Sequence, residues 1–168
     1  MKARKPALLG LLTAVALTIF LVEAQLPPVL PVPGVKLGLA NIVTVFTVFA
    51  LGPGEGILVL AARIFLGAVF CGNFSSILYS AAGGACAIAV TIALRRILTR
   101  KQLFAAGCLG AMAHSVGQIA MAALVLGTAS VFVYLPVLLA VSLVTGLFTG
   151  LCAQFLVDRG NLWKTILT

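Results

Sequence analysis

The residues of this 168-residue chain that can do chemistry are a few polar side chains within or beside long apolar runs. They are Glu23, Lys36, Asn41, Arg63, Asn73, His114, Gln118 and Gln154. A polar group surrounded by apolar residues is costly unless it is paired or has a function. Each of these side chains is therefore a candidate binding residue.

The chemistry of these side chains suits a small polar ligand. Lys36 and Arg63 can neutralise an anion. Asn41, His114 and Gln118 can hydrogen-bond its polar groups, and the last two share a helical face because they are four residues apart. With Glu23 and Asn73 they form the predicted substrate site. The competing interpretation is internal pairing, of Glu23 with Lys36 and of Arg63 with carbonyl or glutamine oxygens, while Gln154 is interpreted as structural.

Carboxylate chemistry is nearly absent from the sequence. Glu23, Glu55 and Asp158 are the three acidic residues, and they are far apart along the chain. No Ser/His/Asp arrangement, metal-ligand spacing or G-x-x-x-x-G-K-[ST] phosphate loop is present. We predict no catalytic residue, no metal site and no cofactor.

The composition excludes most classes of soluble protein. Hydrophobic residues make up 62% of the chain and charged residues 8%, against about 45–50% and about 25% in soluble domains. The net charge of +8 comes from 11 basic residues at the edges of apolar runs, not from one basic face, so nucleic-acid binding is not expected. The composition predicts a multi-pass protein of the cytoplasmic membrane.

Apolar runs of sufficient length predict a single domain over residues 1–168 with six transmembrane helices. A bilayer core about 30 Å thick requires about 20 helical residues. The predicted spans are Pro6–Ala24, Val35–Leu51, Glu55–Gly72, Phe74–Leu94, Leu103–Leu126 and Val131–Val157. The second is short and is either tilted or partly interfacial.

The basic residues predict the orientation of these spans. With six spans, both termini and the fourth loop share one side of the membrane. Nine of the 11 basic residues lie there: Lys2, Arg4, Lys5, Arg95, Arg96, Arg100, Lys101, Arg159 and Lys164. The positive-inside rule assigns that side to the cytoplasm. Lys36 and Arg63 are the two exceptions.

Other segments of the sequence predict an external loop, close helix packing and the state of the cysteines. The proline-rich stretch from Pro27 to Gly34 is expected to form an external loop, either a lid or a stiff connector. The first span also permits interpretation as a signal peptide, but its apolar stretch exceeds the usual length. Gly146 and Gly150 form a GxxxG pair suited to close helix packing. The four cysteines lack redox or metal spacing and are expected to be free and buried.

Several short motifs resemble those of a known family. They are Gly34–Ile42 (GVKLGLANI), Arg63–Gly67 (RIFLG), Ala82–Gly84 (AGG), Ala113–Gln118 (AHSVGQ) and Leu143–Gly146 (LVTG). In this order they are similar to the Gx transporter family, also labelled heptaprenyl diphosphate synthase component I. That family resembles the S components of energy-coupling factor (ECF) transporters, which are small all-α bundles of six membrane helices.

The resemblance implies two functions. An S component captures a solute externally and docks on a coupling subunit with ATPases, and small residues of its first helix, here Ala7, Gly10 and Ala14, assist that docking. The family association suggests an isoprenoid- or quinone-related precursor as substrate. The alternative is a non-catalytic membrane subunit that partners a soluble prenyl diphosphate synthase in menaquinone synthesis. A third interpretation is a scaffold for membrane electron-transfer proteins.

Overall fold

The computed structural model describes residues 4–25, 36–72 and 75–159, and all regular secondary structure in these ranges is helical. The α-helices are α1 (Arg4–Gln25), α2 (Asn41–Ala50), α3 (Pro53–Cys71), α4 (Ser75–Arg95), α5 (Leu103–Leu126) and α6 (Leu135–Asp158). Short 3₁₀ turns at Arg100–Gln102 and Ala129–Tyr134 precede α5 and α6. The all-α fold class predicted from the sequence is confirmed for the described residues.

Five of these helices are long and apolar enough to cross a bilayer: α1, α3, α4, α5, and α6 with the turn before it. Their outward faces carry large apolar side chains, including Phe65, Leu124 and Val144, which are more than half exposed. An apolar surface of this extent is suited to lipid and not to water. The chain is therefore a multi-pass membrane protein.

The second predicted span, Val35–Leu51, is wrong as a continuous helix. Its helical part is α2, whose ten residues extend about 15 Å, about half of a bilayer core. Residues 36–38 are not helical and residues 39–40 form a turn. The cause is Gly38, whose φ of 78° lies in the left-handed region that interrupts an α-helix and favours glycine. Eight of the ten residues of α2 are buried, so this short helix is enclosed by the others.

The start of the sixth predicted span also differs. The sequence predicts one continuous span over Val131–Val157, but α6 begins at Leu135 and residues 129–134 form a 3₁₀ turn. Pro136 occupies the first turn of α6, where its missing N–H removes no helical hydrogen bond. The proline therefore fixes the beginning of the helix.

The first turns of α1 and α3 lie at the same end of the bundle, because Lys5 Nζ forms an ion pair with Glu55 Oε1. A guanidinium nitrogen of Arg95, the last residue of α4, is also close to this end, near Gly52. Glu23, near the other end of α1, binds the backbone of residues 38–39, so residues 38–52 run from that end back to the start of α3. α2 lies on this path. The cytoplasmic assignment of this end stays a prediction.

Glycines allow the last two long helices to pack backbone to backbone. A Cβ atom at Gly146 would stand 2.7 Å from both the Cα of Cys108 and the carbonyl oxygen of Gly107. At Gly150 it would stand 2.7 Å from the Cα of Phe104. The GxxxG pair of α6 therefore packs against α5, as the sequence predicts.

The described cysteines are free, but the prediction that they are buried is wrong. Cys71 and Cys86 are exposed, and Cys108 and Cys152 are only partly covered. A thiol behaves as a small hydrophobic group, so on these apolar helices an exposed cysteine is compatible with a lipid-facing position.

Candidate functional site

A layer of polar residues lies between two apolar clusters of the bundle. Along α5, Leu103 and Ala106 belong to one cluster and Ile119 and Ala122 to the other. The buried residues between them include polar ones: His114, Ser115 and Gln118. The hydroxyl of Ser115 shares a hydrogen bond with that of Ser142, which joins α5 to α6 in this layer.

The Glu23 carboxylate binds backbone, not a cationic side chain. Glu23 Oε1 accepts a hydrogen bond from the Gly38 nitrogen at 2.6 Å, and Oε2 accepts one from the Leu39 nitrogen at 3.1 Å. These N–H groups precede α2 and lack helical partners, and a negative charge at a helix N-terminus is favourable. α1 therefore stabilises the non-helical backbone that leads into α2.

A second side chain holds the same backbone from the other side. Gln118 Oε1 accepts a hydrogen bond of 3.3 Å from the Lys36 nitrogen. Non-helical backbone at membrane depth requires protein partners of this kind. Residues 36–40 are thus held between α1 and α5.

Two cations share one aromatic ring in this region. Lys36 Nζ lies 3.7 Å from the centroid of the Phe20 ring, and the guanidinium carbon of Arg63 lies 5.5 Å from it. Both distances are typical of cation–π contacts. Among the described residues, neither cation is within 4.0 Å of a carboxylate oxygen. The hypothesis that Glu23 pairs with Lys36 is therefore wrong, because the carboxylate is engaged by backbone N–H groups.

Several buried polar atoms of the layer have no hydrogen-bond partner in the described part of the chain. They are Nε and Nη2 of Arg63, both side-chain polar atoms of Asn41, and Nδ1 of His114. The hypothesis that carbonyl or glutamine oxygens satisfy Arg63 is therefore wrong for these two nitrogens. Buried polar atoms are nearly always hydrogen-bonded in folded proteins. These unpaired atoms on three buried side chains make the layer a candidate binding site.

Two glycines bring these side chains together. A Cβ atom at Gly38 would stand 3.0 Å from Asn41 Nδ2 and 3.1 Å from His114 Cδ2. At Gly83 of α4 it would stand 2.8 Å from both Gln118 Cγ and His114 Cε1. The imidazole therefore lies between the backbone before α2 and the backbone of α4.

The structure brings six of the seven predicted substrate-binding residues to one region, here called the polar cluster. Its members are Glu23, Lys36, Asn41, Arg63, His114 and Gln118. The seventh, Asn73, lies outside the described residues, as does the Pro27–Gly34 loop. Gln154 lies apart, on the turn of α6 whose neighbours Ala153 and Val157 belong to the first apolar cluster.

Phe20, Gly38 and Gly83 are parts of this site that the predicted set does not include. Phe20 precedes Glu23 by three residues, so the two share a face of α1. Gly38 and Gly83 lie within two of the motifs quoted above. An aromatic residue beside a candidate carboxylate, and glycines beside candidate polar residues, are the signals that point to them.

The small residues predicted to take part in partner docking lie on the outside of α1. Ala7, Gly10 and Ala14 of α1 are exposed, and a Cβ atom at Gly10 would meet nothing within 4 Å. Gly10 also lines a groove between α1 and α3, with Leu9 and Leu58 among its other walls. This face is open for contact with lipid or protein.

Glu23 and Glu55 lie far apart in the bundle. Glu55 pairs with Lys5, whereas Glu23 lies 18 residues beyond Lys5 on the same helix, a separation of about 27 Å. Within the described ranges, no three His, Cys, Asp or Glu side chains are grouped as metal ligands.

One known protein family matches most of the chain. A family model described as heptaprenyl diphosphate synthase component I matches residues 12–156. No curated protein matches, and no solved structure matches either. The matched range contains every residue of the polar cluster. The chain therefore belongs to the heptaprenyl diphosphate synthase component I family.

Proposed function

We propose that this protein is the substrate-binding membrane component of a small-molecule uptake system, similar to an ECF S component. The observation that carries the proposal is the polar cluster, in which unpaired atoms of Arg63, Asn41 and His114 are buried inside an apolar bundle. Buried polar atoms of folded proteins are usually hydrogen-bonded, and five of the six unpaired ones among the described residues lie in this cluster, the sixth being Gln154 Oε1. A ligand that supplies their hydrogen bonds accounts for their burial.

The protein itself is proposed to be non-catalytic. Prenyl transfer from a diphosphate depends on acidic residues that hold Mg²⁺ against the phosphates. Here the Glu23 carboxylate is occupied by backbone and Glu55 by Lys5 at the other end of α1. Binding and release of a ligand require none of this acidic chemistry.

Docking on a coupling subunit with ATPases is proposed to occur through the outward face of α1. The exposed residues Ala7, Gly10 and Ala14 would let another helix approach closely, which is how helices associate in lipid. The energy for uptake would then come from the partner.

The second candidate function is a non-catalytic membrane subunit that recruits a soluble prenyl diphosphate synthase to the membrane. The observation that favours it is membership of a family named for such a synthase. In this case the outward α1 face would bind the synthase or another membrane helix, and the polar cluster would bind a membrane-derived precursor.

Affinity purification in mild detergent, followed by mass spectrometry of the copurifying proteins, separates the two functions. A coupling subunit with ATPases supports uptake, and a soluble prenyl synthase supports the accessory function. If neither copurifies, both partner assignments are wrong.

A pair of variants on α1 tests the docking face. Gly10→Leu places a bulky side chain at the open position, and we expect it to remove the partner. Val22→Leu is the matched control, because Val22 is exposed near the opposite end of the same helix. Equal recovery of the partner with both variants would contradict docking at Gly10.

A further inference from the structure

The guanidinium of Arg63 has one buried edge without a hydrogen-bond partner among the described residues. Its unpaired nitrogens are Nε and Nη2, and the residue is only 3% exposed. These two nitrogens lie on the same side of the planar group, so their N–H bonds are parallel. That edge matches the two oxygens of a planar carboxylate in a bidentate pair.

The charges of the polar cluster limit what can bind. Lys36 and Arg63 contribute two positive charges and Glu23 one negative charge, so with His114 neutral the formal charge is +1. A monoanion balances this charge. A diphosphate carries at least two negative charges, and its excess charge would be buried without compensation, which is strongly unfavourable.

The remaining unpaired atoms suit a second polar group on the ligand. The Asn41 amide, whose two polar atoms are unpaired, offers both a donor and an acceptor, and the His114 imidazole lies beside it. Gly38 brings these two side chains close to each other. They can therefore bind a hydroxyl, carbonyl or amide on the same molecule.

We propose that the polar cluster binds a small molecule with one carboxylate, which Arg63 holds in a bidentate pair and Lys36 helps to neutralise. This assignment rests on the proposed ligand-binding function and narrows it, because it selects carboxylic acids and rejects prenyl diphosphates. Glu23 has no contact with the ligand and acts as a positioning residue for the backbone of Gly38 and Leu39.

The test uses the full-length protein in mild detergent, incubated with a small-molecule extract of cells, washed, and then denatured to release what it retains. Mass spectrometry identifies the released compounds. The variant Arg63→Lys keeps the charge but removes the bidentate edge, and Arg96→Lys, at an exposed position, is the matched control. Thermal unfolding of each variant reports whether it folds.

We expect the wild type and Arg96→Lys to retain a compound with a single carboxylate, and Arg63→Lys to retain it less by about tenfold or more. Retention of a diphosphate, a phosphodiester, a cation or a neutral molecule would overturn the carboxylate assignment while leaving ligand binding intact. If Arg63→Lys folds and retains the compound as well as the wild type does, the carboxylate assignment is also overturned while ligand binding stands. If Arg63→Lys does not fold, the compound retained by the wild type still decides the class. No retained compound would overturn both the assignment and the proposed function.

Discussion

Glu23 Oε1 and the backbone nitrogen of Gly38 are joined by a hydrogen bond of 2.6 Å across 15 residues of sequence. Glu23 is the one carboxylate of the polar cluster, and it uses this bond to hold the backbone that precedes α2. Lys36 and Arg63 therefore remain without a carboxylate partner among the described residues. The two cations keep their positive charges uncompensated by a nearby carboxylate because Glu23 binds backbone N–H groups.

Replacement of Glu23 should destabilise the fold. Glu23→Ala leaves the buried N–H group of Gly38 and the partly buried one of Leu39 unpaired, and the buried group alone costs about 1–3 kcal/mol. Glu23→Gln keeps one acceptor oxygen and should have an intermediate effect. Thermal unfolding followed by circular dichroism measures both. The control is Glu55→Gln, which removes an exposed ion pair typically worth about 0–1 kcal/mol, and equal losses for Glu23→Ala and Glu55→Gln would contradict the structural task of Glu23.

Gly38→Ala should destabilise the protein through two effects. A non-glycine residue is strained at a φ of 78°, and the new methyl group would press on Asn41 and His114. The expected loss is about 1 kcal/mol or more. Gly54→Ala is the matched control, since a Cβ there meets nothing within 4 Å and the residue is helical. Equal melting temperatures for the two variants would show that the backbone before α2 does not have the described conformation.

Gly83→Ala and Gly84→Ala should differ in ligand retention. The first places a methyl group 2.8 Å from the His114 and Gln118 side chains and displaces them. The second meets only the ends of apolar side chains, Leu60 at 3.1 Å and Ile64 at 3.4 Å. We expect Gly83→Ala alone to lose the small molecule retained during purification. Loss with Gly84→Ala, or retention by Gly83→Ala, would place the binding site elsewhere.

Gly146→Ala should separate α6 from α5. Its methyl group would meet the backbone of Gly107 and Cys108, which cannot move aside without shifting a helix. The expected result is a clear fall in melting temperature. Val144→Ala is the control because Val144 is 69% exposed on the outer face of the same helix. A fall no larger than that of the control would contradict the close packing of the two helices.

Cysteine labelling tests the orientation and the return of the chain through α2. In a cysteine-free background, Thr128→Cys should react with an impermeant maleimide on intact cells. Ile97→Cys and Gly54→Cys should react only after permeabilisation, since Glu55 and Arg95 lie at one end of the bundle. Labelling of Gly54→Cys from outside would contradict either the predicted orientation or the crossing of the segment that contains α2.

The sequence predicts the class of fold and most residues of the candidate site. It does not predict the contacts that hold those residues together. Apolar run lengths suffice for five helices, and the cost of buried polar groups identifies the polar cluster. Hydropathy does not register a positive φ at Gly38, so it does not predict the length of α2. Residue type predicts side-chain charge pairing more readily than contacts between distant segments, so it does not predict the bond of Glu23 to backbone.

The continuity of α1 has a mechanical consequence. This 22-residue helix carries exposed Gly10 toward one end and Phe20 with Glu23 toward the other, so both regions belong to one rigid rod about 33 Å long. If the proposed docking on α1 occurs, a partner that tilts the rod from its Gly10 end would also move the Phe20 ring relative to the two cations and the Glu23 oxygens relative to the chain ahead of α2. Partner binding and opening of the polar cluster would then be a single motion.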